Sequence, residues 1–274
     1  MDIVKILVDE FRLKPFQVSN TIKLIDEGNT IPFIARYRKE QTGDLKDTTL
    51  RELYERLNYL NSLKDRQEEV IRLIEAQGKL TEVLKKEILS TETLQRVEDL
   101  YRPFKPKRRT RATIAKEKGL EGLANIILSQ NVEKGQLEKE VNSYIDEEKG
   151  VNTEEEALNG AMDIIAEVIS DNAEYRDIIR KTAYTKGILQ TEGIKKEEKS
   201  VYEMYYDYKE PIKAIPNHRI LAINRGEKEK FLKVTLNFSD EEILSKLKSL
   251  IITNEFRSEE RRVGKVCRSR WSPY

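Results

Sequence analysis

Between Asp47 and Gly78 the chain runs for 30 residues without a glycine or a proline. Within that run Leu50, Leu53, Tyr54, Leu57, Leu60, Leu63, Val70, Ile71 and Ile74 recur in steps that trace one helical stripe. A helix over Thr48–Gln77 would be about 45 Å long at the standard rise. Such an element cannot bury its stripe alone, so shorter helices must pack along it as along a spine. Asp47 is placed to cap its start, because a carboxylate accepts from the free N–H groups of a first turn.

Helical punctuation continues on both sides. Ile3, Ile6, Leu7 and Phe11 share a face of a first helix. A second, from Pro15, turns Phe16, Ile22 and Ile25 inward and stops at Gly28, a residue that tolerates positive φ beyond a helix end. Thr30-Ile31-Pro32 opens a short third, since proline suits a first turn. Further segments are expected at 81–89, 92–101, 112–118, 120–130 and 136–146. Thr153-Glu154-Glu155-Glu156 has capping-box spacing before the inward set Ala157, Ala161, Ile164, Ile165, Val168 and Ile169. Another helix spans Ala173–Thr185.

The pattern changes near Lys195, where Lys195-Lys196-Glu197-Glu198-Lys199 reads as a solvated hinge. Four tyrosines follow in Tyr202–Tyr208, more in the manner of packing than of base stacking. A helix Asn217–Arg225 is expected, with His218 as its cap and Gly226 as its end. Leu232-Lys233-Val234-Thr235-Leu236 alternates as a strand does. The expected fold is therefore all-α: an irregular multi-helix array with one long central helix and a small β element near the C-terminus.

Charge limits the function classes. The 50 basic and 49 acidic side chains nearly cancel. Residues 257–274 hold six bases against two acids, so residues 1–256 carry 44 against 47, a net of −3. Polyanion binding must then come from local patches. His218 is the only histidine and Cys267 the only cysteine. No metal site, nucleophile–base pair or phosphate loop of the GxxxxGK[ST] or GxGxxG kind is expected, hence no enzyme and no cofactor. No apolar run is long enough to span a bilayer and no signal sequence is visible, which leads us to expect a cytoplasmic location.

The densest patch is Arg102–Lys118. There Arg102, Lys105, Lys107, Arg108, Arg109, Arg111, Lys116 and Lys118 face only Glu117, a net of +7 in 17 residues. Pro103 and Pro106 are expected to hold it extended and out of any helix, splaying the cations toward a phosphate backbone. Tyr101 and Phe104 would stack on unpaired bases if exposed. The competing reading pairs these cations with carboxylates of the same chain and uses the two aromatics as anchors. A smaller patch, Arg36, Arg38 and Lys39 around Tyr37, divides in the same way. Either Arg36 and Lys39 share one helical face toward a phosphate, or Ile34 and Tyr37 pack inward and the patch is structural. A helix-turn-helix over 16–40 fits the lengths but is a common pattern.

Three strings resemble the Tex family of transcription accessory proteins: Ile31-Pro32-Phe33-Ile34-Ala35-Arg36-Tyr37-Arg38-Lys39-Glu40, Asp99–Ala112, and His218–Glu227. The resemblance spans about residues 1–256. It implies a non-catalytic helical region, 1–194, followed by the start of a central region, 195–256. It also implies a longer parent with an RNase-H-like domain, helix-hairpin-helix elements and an RNA-binding S1 domain, none of them present here. The implied partners are RNA or DNA and the transcription machinery. Ser258–Tyr274 does not resemble the family. It looks like translated adapter sequence, so 257–274 is expected to be a non-native tail.

Overall fold

The glycine-free run forms one unbroken helix. In the computed structural model, which describes residues 2–131, 136–194 and 200–252, packing divides the chain into two units, Met1–Lys105 and Pro106–Tyr274. The first contains α1 (Ile3–Phe11), α2 (Pro15–Asp26), α3 (Ile31–Tyr37), α4 (Lys39–Thr42), α5 (Asp47–Glu75), α6 (Glu82–Leu89) and α7 (Leu94–Tyr101), then a 3₁₀ turn at Arg102–Phe104. The 29-residue α5 packs against α1, α3, α6 and α7. Its buried face is Leu50, Leu53, Leu57, Leu60, Leu63, Gln67, Val70 and Ile74, while Tyr54 is turned outward. Gln67 fills a core position with an amide that donates to the carbonyls of Ile88 at 3.0 Å and Thr91 at 3.1 Å, closing the end of α6.

Local chemistry explains the ends. Gly28 takes φ +85°, donating to Ile25 at 2.8 Å while Asn29 donates to Leu24 at 3.2 Å, the exit expected for α2. Asp47 is not the cap of α5. Lys46 occupies that position, and the Asp47 carboxylate, one residue inside, accepts from Arg51 Nε at 2.7 Å. Phe16 is also exposed rather than inward; Val18, Thr21 and Leu24 form the buried face of α2. Gly43 is confined twice over. Its φ is +65°, and a Cβ there would stand 2.8 Å from Gln17 Nε2 and 3.1 Å from Phe16 Cζ.

The second unit contains α8 (Arg111–Glu117), α9 (Glu121–Ser129), α10 (Gln136–Asn142), α11 (Glu154–Asp171), α12 (Ala173–Lys186), β1 (Ile188–Gly193), β2 (Asp207–Pro211), α13 (Asn217–Lys228), β3 (Leu232–Asn237) and α14 (Asp240–Ile251). Alanines make its helical core. Ala112 and Ala115 of α8 meet Ala157 and Ala161 of α11, with Leu120, Leu123 and Ile164 around them. Gly160 lets the elements close up, since a Cβ there would lie 2.3 Å from Leu120 Cδ1. Val168 faces solvent, out of the inward set. Thr153 caps α11 through Glu156 N–H at 3.2 Å, but the Glu156 carboxylate returns to Asn152 N–H at 2.7 Å, one residue earlier than a capping box requires.

A three-stranded antiparallel sheet of order β2-β1-β3 follows, with Thr191 opposite both Tyr208 and Val234. The fold is thus all-α with a small β element near the C-terminus, as expected, although only β3 was anticipated as a strand. β1 precedes residue 195 and pairs with two strands beyond it, so packing does not divide the chain there. Tyr202 and Tyr205 are buried with Ile223 and Leu232, as a packing role demands. α13 continues past Gly226 to Lys228, and His218 is an exposed residue of its first turn rather than its cap, since Pro216 holds the cap position without a side-chain hydrogen bond. The expected hinge at 195–199 and tail at 257–274 lie outside the described residues.

Candidate functional site

Carboxylates of the same chain already hold part of the densest cation patch. In the second unit the Lys107 ammonium bonds Asp171 and lies 3.3 Å from Glu167, both on α11, and its side chain is only 28% exposed. Arg109 bonds Glu117 at 2.7 Å, Lys116 lies 4.0 Å from Glu121 and from Glu167, and Lys118 donates to the Gly150 carbonyl at 2.7 Å. Arg108 and Arg111 are exposed and form no ion pair among the described residues. Of the segment's six cations in this unit, four fold back onto the chain and two stay open.

Its backbone also departs from expectation. Pro103 does not extend the chain but sits inside the 3₁₀ turn, a place its fixed φ permits. Arg111 opens α8, which Thr110 caps through Thr113 N–H at 3.1 Å, so only the residues between the turn and Thr110 are free of helix. In the first unit the turn is tied down where Gln77 Nε2 donates to the Phe104 carbonyl at 2.9 Å. Tyr101 is buried beneath the Arg66 guanidinium, 5.6 Å from its ring centroid, which removes it as a base-stacking residue. Lys105 is exposed and forms no ion pair among the described residues; Arg102 is exposed at the head of the turn.

The smaller patch is the more open one. α3 buries Ile34 completely, but Tyr37 is 65% and Phe33 37% exposed, against the inward placing of Tyr37. The two rings are tilted at 44° with centroids 5.1 Å apart. The Arg38 guanidinium lies over Phe33 at 5.1 Å and donates to the Tyr37 carbonyl at 3.3 Å. Arg38 has φ −127° and breaks the helix between α3 and α4, so Arg36 and Lys39 do not share one continuous helical face. Arg36, Arg38 and Lys39 form no ion pair among the described residues. Sequence reasoning missed the exposed ring pair because the i, i+3 step from Ile34 to Tyr37 looked like a single face.

A separate cluster of hydrogen-bonded groups joins β2 to α13. Arg219 Nη1 donates to Glu210 Oε2 at 3.0 Å and to the Tyr208 hydroxyl at 3.0 Å, and the Tyr208 hydroxyl itself donates to Glu210. Those bonds hold the Glu210 carboxyl below its ordinary value, Tyr208 contributing most, while burial raises the Tyr208 phenol. The trio links β2 to α13. Among the described residues no group of three or more His, Cys, Asp or Glu is disposed to hold a metal, and no helix is long and apolar enough to cross a membrane.

Two family models match the chain: the Tex-like protein N-terminal domain over residues 1–75 and the Tex central region over residues 133–272. The chain belongs to the Tex family. Among its Tex relatives, protein YdcI of Bacillus subtilis is 47% identical over 255 residues, which is 92% of this chain and 35% of the relative. The transcriptional accessory protein Tex of Neisseria gonorrhoeae is 38% identical over 244 residues, 88% of this chain and 32% of its own. A human protein, S1 RNA-binding domain-containing protein 1, is 33% identical over 249 residues, 87% and 24% respectively. The chain thus spans about a third of the length of the curated relatives it matches. The central-region match takes in residues 257–272, which lie outside the described residues.

Proposed function

We propose that this Tex-family chain is a non-catalytic helical module that associates with RNA or DNA through phosphate contacts in the cytoplasm. One observation carries the reading. In a body of net negative charge, where Lys107, Arg109 and Lys116 are taken by carboxylates, Arg36, Arg38 and Lys39 in one unit and Arg108 and Arg111 in the other form no ion pair among the described residues. An unpaired guanidinium gains from a phosphate without first surrendering a partner, and the counterions it displaces make that gain salt-dependent. Relatives named for transcription and for an RNA-binding S1 domain support the association. Lys105 belongs to the same reading, Arg102 enters it only by its exposure at the head of the turn, and Lys107 is held by α11 and adds little to it. Residues 257–274 are kept out of it.

The test is a titration of the chain with single-stranded RNA and with DNA at two salt concentrations. Affinity is expected to fall as salt rises. It should also fall, with a shallower salt dependence, in Arg36→Glu/Arg38→Glu/Lys39→Glu and in Arg108→Glu/Arg111→Glu. Equal binding by wild type and both variants would overturn the assignment and favour the second reading, a scaffold that positions further domains or docks a protein.

A further inference from the structure

The geometry points to a base-stacking subsite at Phe33, Tyr37 and Arg38, which makes the first unit selective for unpaired over paired nucleic acid. The inference rests on the phosphate-binding reading above and deepens it. Phe33 and Tyr37 stand one helical turn apart on α3, both exposed although Ile34 between them is buried, with ring centroids 5.1 Å apart. A single exposed aromatic needs no explanation, but two touching rings with a cation laid on one of them form an organised surface. Phe33 is covered on one side by the Arg38 guanidinium at 5.1 Å and flanked by Tyr37 on another. Tyr37, at 65% exposure, keeps ring surface open to solvent. Its ring is the one available to a base.

The surroundings select the occupant. Arg36, Arg38 and Lys39 bring three positive charges to the stretch 31–40, whose one acid is Glu40, and none of the three is spent on an ion pair among the described residues. Arg38 is also preorganised. Its place over Phe33 and its bond to the Tyr37 carbonyl at 3.3 Å fix the guanidinium while leaving most of its donors free. Aromatic faces interleaved with cations are what a single strand requires, since every base has a π-face and every linkage a charge. A duplex hides its bases in the stack and would meet only the cations. A protein partner is the poorer fit, because two rings offer a base-sized surface, far below the roughly 800 Å² a standard protein interface buries on each side.

The experiment uses the full chain, with fluorescently labelled oligouridylate, oligodeoxyuridylate, an abasic deoxyribose-phosphate oligomer of equal length, and a duplex. Tyr37→Ala should weaken binding of both base-bearing strands about fivefold or more, the lower end of what a base–aromatic stack contributes. Tyr37→Phe should bind as wild type does, and Tyr37→Ala should leave the abasic oligomer and the duplex unaffected. Tyr37 is exposed, so the variants should keep the wild-type circular dichroism spectrum. If Tyr37→Ala binds every oligomer as wild type does while Arg36→Glu/Arg38→Glu/Lys39→Glu is weaker, stacking is overturned and phosphate binding stands. If the charge variant too is indistinguishable from wild type, or no oligomer binds, both readings fall and a protein-facing role takes their place.

Discussion

Lys107 reaches back to Glu167, its ammonium 3.3 Å from a carboxylate on α11. That contact, reinforced by Asp171, anchors part of the most cation-dense stretch of the chain to α11, while Arg108 and Arg111 stay exposed.

Lys107→Met should act on stability rather than on binding. It leaves Glu167 and Asp171 facing each other with their shared cation gone, in a site where Asp171 is buried. Removing one partner of such a pair costs roughly 1–3 kcal/mol. Chemical denaturation should show that loss, while Arg108→Glu, which breaks no described ion pair, should stay within about 0.5 kcal/mol of wild type. Equal effects from the two would mean that Lys107 is not held by α11.

The core assignments differ within a single helix. Ile164→Ala empties a buried position among Ala112, Ala115 and Leu120 and should cost about 2–5 kcal/mol, as should Leu57→Ala on α5. Val168→Ala, one turn from Ile164 but exposed, should cost almost nothing. Urea midpoints for the three variants are the measurement.

Glycine in mid-helix usually yields stability when changed to alanine, by up to about 1 kcal/mol. Gly226→Ala should do the opposite. A Cβ there would lie 2.7 Å from Leu232 Cδ1 and 3.1 Å from Tyr202 Cδ1, so overpacking of about 1–3 kcal/mol should exceed the gain in propensity. A raised melting temperature for this variant would show that α13 and β3 are further apart than described.

Acid should loosen α1 from α5. Arg56 donates to Glu10 from Nε at 2.8 Å and from Nη2 at 2.6 Å, and these bonds hold the Glu10 carboxyl below its ordinary 4.5. With the folded value depressed, the stabilisation is complete above 4.5 and lost as pH falls through the lower folded value. Wild type should therefore exceed Glu10→Gln in stability by a constant margin near neutrality, one that narrows only below about pH 4.5. The margin should stay under about 1 kcal/mol, because solvent screens a pair this exposed. A margin unchanged at low pH would exclude the carboxylate as its source.

Helices were legible in the sequence because their signals are local. The apolar steps along α5, the turn at Gly28 and the cap at Thr153 each act within a few residues. Gln67 was not legible, since its burial depends on the Ile88 and Thr91 carbonyls that a folded α6 brings to it. Nor were β1 and β2, whose residues 188–193 and 207–211 lack clear alternation and gain their form from pairing. The basic segment showed its charge but not its commitments: whether Lys107 is free depends on Asp171, far along the chain. Tyr37 was misplaced because Arg38 breaks the helix there, and the register of one face ends with it.

The order β2-β1-β3 has a consequence for the newborn chain. β1 leaves the ribosome before either of its neighbours, so the middle of the sheet is made first and waits with both hydrogen-bonding margins bare. One margin is satisfied by β2, while the other stays open until Leu232–Asn237 has been synthesised. An open strand margin invites pairing with another copy. A message broken between these two strands would thus release a product whose central strand β1 is itself an open edge.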